Sequence, residues 1–349
     1  MKRSGAPVHR RWRWWAAVLL ALLWPATAAT QEPPRPAAQT TLRFLSFAPE
    51  GSSWMKLLLQ WGAQVQQRTN GRVRLRFQTA TEADDERDIV RLLNLGQYQG
   101  AFMTGVGIGL LQPDMRVLEL PFFIRTDAEL DHVRKVLDSF FRQRLAARGY
   151  VLLAWADHGW IYAFGKKPLR SKEEFSRGRV FLWADDPLAR KTLELLGCAT
   201  VPLGFREVNT ALATGRIEWL YGTPLEVLLF GWNRRLKFMN DFPFLPGTGA
   251  LVLQQAALEK LAPADRQALL ETALQTQERI LKQVRADNAT ALVELRKQGL
   301  GLVRNGDVLG AQFPPIAQKV WAELAGSFIS REAFREVQRV LADYRRGKR

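Results

Sequence analysis

The side chains able to carry nucleophilic or metal chemistry are few, and their spacing does not favour it. Of the three histidines, His9 lies in an amino-terminal leader, while His132 and His158 stand 26 residues apart with no cysteine nearby, so no zinc-ligand spacing exists. The single cysteine, Cys198, has no partner for an internal disulfide and reads as a buried, unreactive thiol. Neither a Gly-x-Ser-x-Gly elbow nor a Walker loop occurs. Gly105-x-Gly-x-Gly109 has the wrong spacing for a dinucleotide fingerprint and reads as a flexible glycine turn. Asp84-Asp85-Glu86 suggests paired carboxylates, but at the start of a helix it is better explained as complementing the helix dipole. These residues imply no catalytic group, no metal and no cofactor, leaving binding as the function to be positioned.

The amino terminus carries Lys2, Arg3, Arg10, Arg11 and Arg13 ahead of the apolar run Trp14 to Trp24. That run is too short to cross a bilayer as a helix, and Ala26-Thr27-Ala28 has the small-x-small pattern of a signal-peptidase site. Residues 1–28 are therefore expected to be a signal peptide, followed by a Pro-rich spacer over 29–40, with the mature protein in the periplasm. Retention of the leader as an anchor is the alternative, and Arg10-Arg11 leaves twin-arginine export open. Removing the leader takes away those five cations and no acid, lowering the formal charge from +16 to +11. The remaining arginines are spread along the chain and often alternate with acids, which argues against nucleic-acid binding.

About 310 residues follow the spacer, more than one core usually organises, so two domains are expected. Thr41 to Phe47 reads as a strand, and the loop Ala48 to Ser53 leads into a helix ending near Thr69. Arg72 to Phe77 alternates strictly, putting Val73, Leu75 and Phe77 on one face and three arginines on the other. A helix from about Asp84 and a strand Gly100 to Thr104 close a second unit. Capping boxes at Thr126 and Ser171 open further helices, Tyr150 to Ala156 and Val180 to Trp183 read as buried strands, and the βαβα alternation of the first half implies a largely parallel sheet. From Pro263 to about Gln298 an unbroken helical pattern predicts one long helix.

The order of landmarks resembles the substrate-binding P subunit of the tripartite ATP-independent periplasmic (TRAP) transporters, the DctP type. The similarity runs from about Thr41 to Tyr344 and rests on Ala48-Pro49-x-Gly51, Gly71-Arg72-Val73, Leu95-Gly96, Leu120-Pro121-Phe122, His158-Gly159, Lys167-Pro168, Leu196-Gly197, Val201-Pro202, Ala211-Leu212-x-Thr214-Gly215 and Thr223-Pro224. The resemblance implies an α/β, two-lobed periplasmic-binding-protein fold of type II, with a hinge and a long bracing helix. Lobe I would comprise 41–158 plus about 248–285, and lobe II 159–247 plus about 286–349 with the C-terminal helices. The implied function is to bind a small solute in the interlobe cleft and hand it to the membrane subunits of the transporter. A sensory binding protein signalling to a kinase or a repeat-protein scaffold is the alternative.

In that family Ser52, Thr104, Gly105 and Thr223 occupy loop positions that contact ligand, and His158 is placed to donate at the hinge. Two departures stand out. Phe181 falls where most relatives carry the arginine that grips a ligand carboxylate, and Ile161 falls at a second cationic position. With Trp183, Phe205 and Trp219 nearby, the cleft is expected to be aromatic, although core packing is the better expectation for Trp219 and Tyr221. These departures resemble the TRAP branch that works with a tetratricopeptide-repeat partner and for which apolar ligands have been proposed. Arg125 or Arg206 taking over the clamp is the competing expectation.

Overall fold

The computed structural model describes residues 39–46, 48–79, 85–184 and 186–347. The expected leader, most of the spacer and Asp84 lie outside them. Elements β1 (Thr40–Ser46), α1 (Ser53–Arg68), β2 (Val73–Thr79), α2 (Glu86–Asn94), β3 (Gly100–Thr104) and α3 (Gly105–Leu111) come first. A 3-10 segment, Pro113–Glu119, then leads to α4 (Asp127–Ala146) and β4 (Tyr150–Trp155). The chain next runs through β5 (Gly159–Gly165), α5 (Lys172–Arg177), β6 (Arg179–Trp183), α6 (Pro187–Leu195) and β7 (Ala199–Leu203). After a 3-10 turn, Phe205–Glu207, follow α7 (Val208–Thr214), β8 (Trp219–Gly222), α8 (Pro224–Leu229), β9 (Phe238–Asn240) and β10 (Leu245–Gly247). Last come β11 (Gly249–Gln254), α9 (Gln255–Glu259), α10 (Pro263–Lys297), β12 (Gly301–Val303), α11 (Gly306–Leu324) and α12 (Arg331–Arg346).

Two sheets result. The first has the order β2-β1-β3-β11-β4; the second runs β12-β9-β5-β8-β6-β7, with β10 added beside β5. Parallel pairs join β1 to β2 and β3, and β6 to β7 and β8, while β11 runs antiparallel between β3 and β4. The alternation in β2 appears as expected, with Val73 and Leu75 buried and the arginines outward. Side-chain caps start the helices that face the cleft: Thr104 for α3, Asp186 for α6 and Thr223 for α8.

The long helix α10 packs on α1 and β4 of the first lobe and on α8 of the second, so it braces both. The two C-terminal helices part company. Helix α11 packs on α6 in the second lobe, whereas α12 returns to α4 and the 3-10 segment of the first. Among the described residues no helix is long and apolar enough to cross a membrane.

Candidate ligand-binding cleft

Two connectors, β4 to β5 and β10 to β11, cross between the lobes side by side. Ala156 N donates to Gly249 O at 2.8 Å and His158 N to Gly247 O at 3.0 Å. Gly247 has to be glycine here, because a Cβ would sit 2.5 Å from His158 Cε1. Asn288 of the brace donates to His158 O at 3.0 Å and accepts from Leu225 N at 3.1 Å, tying α10 to the hinge and to α8. The His158 ring faces Glu226, with Nδ1 2.8 Å from Oε1 and both side chains largely buried. Burial alone would lower the imidazolium pKa, but the charge and hydrogen bond of Glu226, aided by Glu119 and Asp157, hold it up to about 9. His158 is therefore a cation at neutral pH, and Glu226 its carboxylate, with a pKa below the usual range.

The first-lobe wall corrects the reading of Gly105 to Gly109 as a flexible turn, because these residues form helix α3. Each glycine admits a bulky group against the helix. Added Cβ atoms would come within 2.1 Å of Glu119 Oε1 at Gly105, 2.6 Å of Met103 Cε at Gly107 and 2.7 Å of Arg116 Cγ at Gly109. The acidic run also divides. Asp85 caps α2, accepting from Arg87 N and Asp88 N, as a dipole role requires, but Glu86 turns to the neighbouring helix instead. It accepts from Thr104 N at 2.7 Å, Thr104 Oγ1 at 2.5 Å and Gly107 N at 2.7 Å. Its complete burial nevertheless raises its pKa against those hydrogen bonds.

Beside these lies a buried ion cluster that nothing in the sequence reading singled out. Arg116 Nη2 donates to Asp186 Oδ1 and Oδ2 at 3.0 and 2.9 Å. Its Nε lies 2.8 Å from Glu119 Oε2, at an angle that makes this an ion pair without a good hydrogen bond. Arg116 comes from the first lobe and Asp186 from the second, so the pair joins the two walls.

On the second-lobe wall, β6 places Phe181 and Trp183 on one face. The Phe181 ring packs 5.6 Å from Tyr221, and Trp183 lies 5.7 Å from Phe205. Trp183 N also receives the support of Tyr221, whose hydroxyl oxygen accepts from it at 3.2 Å. Trp219 packs edge-on against Phe175 in the core, 5% exposed, and Tyr221 packs against the second-lobe core as expected while also lining the cavity. Phe122, in the left-handed region with φ 56°, inserts its ring among Phe242, Phe244 and Phe313.

These walls enclose an inner cavity of about 130 Å³. Five of the expected site residues line it: Thr104, Gly105, His158, Phe181 and Trp183. Ile161, Arg116, Glu119 and Asp186 line it too. An outer cavity of about 270 Å³ shares Thr104, His158, Trp183, Phe205 and Glu226 with it. Ser52 and Thr223 line neither; Ser52 accepts from Met55 N as the cap of α1, and Thr223, wholly buried, caps α8. Of the two arginines expected as substitute clamps, Arg206 lines the outer cavity and Arg125 lines neither. Cys198 is half-buried, its thiol pKa pushed up to about 12 by burial.

Two α/β lobes, hinged by paired connectors, braced by one long helix and closing on a cavity, define a two-lobed solute-binding protein. The chain belongs to the bacterial extracellular solute-binding protein family 7, DctP, whose family model matches residues 44–327. Members of this family are extracellular solute-binding receptors, and solved structures that share the fold include TRAP periplasmic solute-binding proteins. A solute-binding protein of Verminephrobacter eiseniae is 26% identical over 276 residues, covering 78% of this chain and 81% of that one. An extracytoplasmic solute receptor of Bordetella pertussis that binds pyroglutamic acid superposes with a TM-score of 0.80 at 16% identity, over 87% of this chain and 99% of its own. A TRAP solute-binding protein of Xanthobacter autotrophicus with bound β-D-galacturonate gives 0.78 at 18% identity, over 86% and 99%.

Proposed function

We propose that the protein captures a small, neutral solute with an apolar or aromatic body and presents it, lobes closed, to the membrane subunits of a TRAP transporter. The observation that supports this reading is the inner cavity, which Phe181 and Ile161 line; by the sequence resemblance alone, these two residues replace the family's cationic clamps. The cavity's volume of about 130 Å³ is close to the roughly 150 Å³ that holds a single benzene ring. The indole Nε1 of Trp183 is buried with no hydrogen-bond partner among the described residues. A neutral acceptor on the solute would satisfy that donor, whose burial is otherwise costly. The ligands named for the two solved relatives are carboxylic acids, so this reading assigns the chain a different cargo chemistry. A cleaved leader and, on the branch resemblance alone, a tetratricopeptide-repeat partner belong to the same proposal.

Native mass spectrometry of protein released from the periplasm tests it in one measurement. The expected spectrum shows a chain beginning near Ala29 and carrying a retained neutral organic molecule. A retained sugar acid, or micromolar calorimetric binding of a small carboxylate that is lost when the carboxylate is capped as an amide, would refute the assignment of cargo.

A further inference from the structure

We propose that Asp186 and Glu119 determine specificity in this cavity: they are counter-ions built into the protein that occupy Arg116 and bar a ligand carboxylate from it. The proposal rests on the inner cavity being the ligand site. A guanidinium is the side chain best suited to grip a carboxylate, and Arg116 lines the cavity at 3% exposure. It is already engaged by Asp186 at 2.9 Å and Glu119 at 2.8 Å.

Neither carboxylate is free to swing aside. Asp186 Oδ1 also accepts from Leu188 N at 3.0 Å and Ala189 N at 3.2 Å, fixing it to the first turn of α6. Glu119 Oε1 accepts from Thr248 N at 2.7 Å and Thr248 Oγ1 at 2.8 Å. The other cation in the wall, His158, has Glu226 as its own partner. Arg116 and His158 thus face Glu119, Asp186 and Glu226, two cations against three carboxylates. An anionic ligand would be desolvated beside an excess of like charge. A ligand without charge meets no such penalty.

Asp186→Asn removes the charge but keeps an oxygen to cap α6, so it should fold; Glu119→Gln is a second, independent variant. Benzoate and benzyl alcohol share a ring and differ in the carboxylate, and calorimetry with ligand in large excess can compare them. Wild-type protein should favour benzyl alcohol by about tenfold or more, and Asp186→Asn should raise benzoate affinity about tenfold while moving benzyl alcohol by less than about threefold. Adding Arg116→Met should abolish the gain. A pair that served only to hold the lobes together would shift both ligands alike. Parallel shifts, or unchanged benzoate affinity in both single variants, overturn the proposal. If benzyl alcohol fails to bind wild-type protein at all, the apolar-cargo reading falls and takes this proposal with it.

Discussion

Raising the pH through the titration of His158 should destabilise the folded protein, and the structure sets the size of the effect. The imidazolium, ordinarily near 6.5, is held at about 9 by Glu226. A group whose folded pKa is raised contributes stability that is complete below its unfolded pKa and lost as pH climbs through the folded value. The loss here runs from pH 6.5 to about 9, and at about 1.4 kcal/mol per unit it amounts to on the order of 3 kcal/mol. Glu226 is shifted the other way, so its share is present above the ordinary carboxylate value of 4.5 and fades as pH falls. The pair is therefore strongest between about 4.5 and 6.5. For a chain of this size, roughly 2 °C of melting temperature accompanies each kcal/mol, predicting a fall of about 6 °C over the alkaline window. Glu226→Gln keeps an oxygen for Thr223 N, which Glu226 Oε2 now accepts at 2.8 Å, but removes the charge that holds the proton. Its melting temperature should fall by less than about 2 °C over the same range. Calorimetric melts of both proteins decide the matter. A wild-type melting temperature that stays flat, or an equal fall in the variant, would refute the argument.

Gly105→Ala should cost about 1–3 kcal/mol by driving a methyl group into Glu119, since the nearest carboxylate oxygen lies 2.1 Å from the new Cβ. Gly310→Ala, in the interior of α11 with nothing within 4 Å, should instead be neutral or stabilising by up to about 1 kcal/mol, and chemical denaturation compares the two. Saturating ligand should reduce the radius of gyration in small-angle scattering and, at about 100 times the dissociation constant, add about 2.7 kcal/mol to stability. An unchanged radius at saturation argues against closure of the lobes.

The elements were legible because their signals are local. Alternation in Arg72 to Phe77, the caps at Thr126 and Ser171 and the unbroken pattern after Pro263 each need only neighbours in sequence. The ion cluster was not, because Arg116 and Asp186 are 70 positions apart and Glu119 and Thr248 are 129. No periodicity connects them. A partial signal existed in Gly105 and Gly109, which share one side of a helix and leave room there for Glu119 and Arg116, and in Gly107, which faces the other way toward Glu86. Glycine permits close approach as well as turning, and the turn reading weighed only the second use. Asp186-Pro187 was likewise readable as a helix start, but a cap residue does not disclose that its carboxylate also holds an arginine.

With both cations of the inner cavity already paired inside the protein, closure on the proposed neutral cargo draws on apolar burial, and that limits what such a ligand can be. Burying about 200 Å² of apolar ligand surface contributes roughly 5 kcal/mol at 25 cal/mol per Å² before association costs are subtracted. Micromolar affinity needs about 8 kcal/mol. A hydrogen bond from the Trp183 indole adds only about 1 kcal/mol, so a single ring in the inner cavity binds measurably at high concentration but short of micromolar affinity. The deficit falls if the solute continues past Thr104, His158 and Trp183 into the outer cavity of about 270 Å³, where Trp54, Phe102 and Phe230 add apolar wall. A cargo that uses both chambers is longer than one ring, with its polar atoms near His158 and its apolar end beside Phe181.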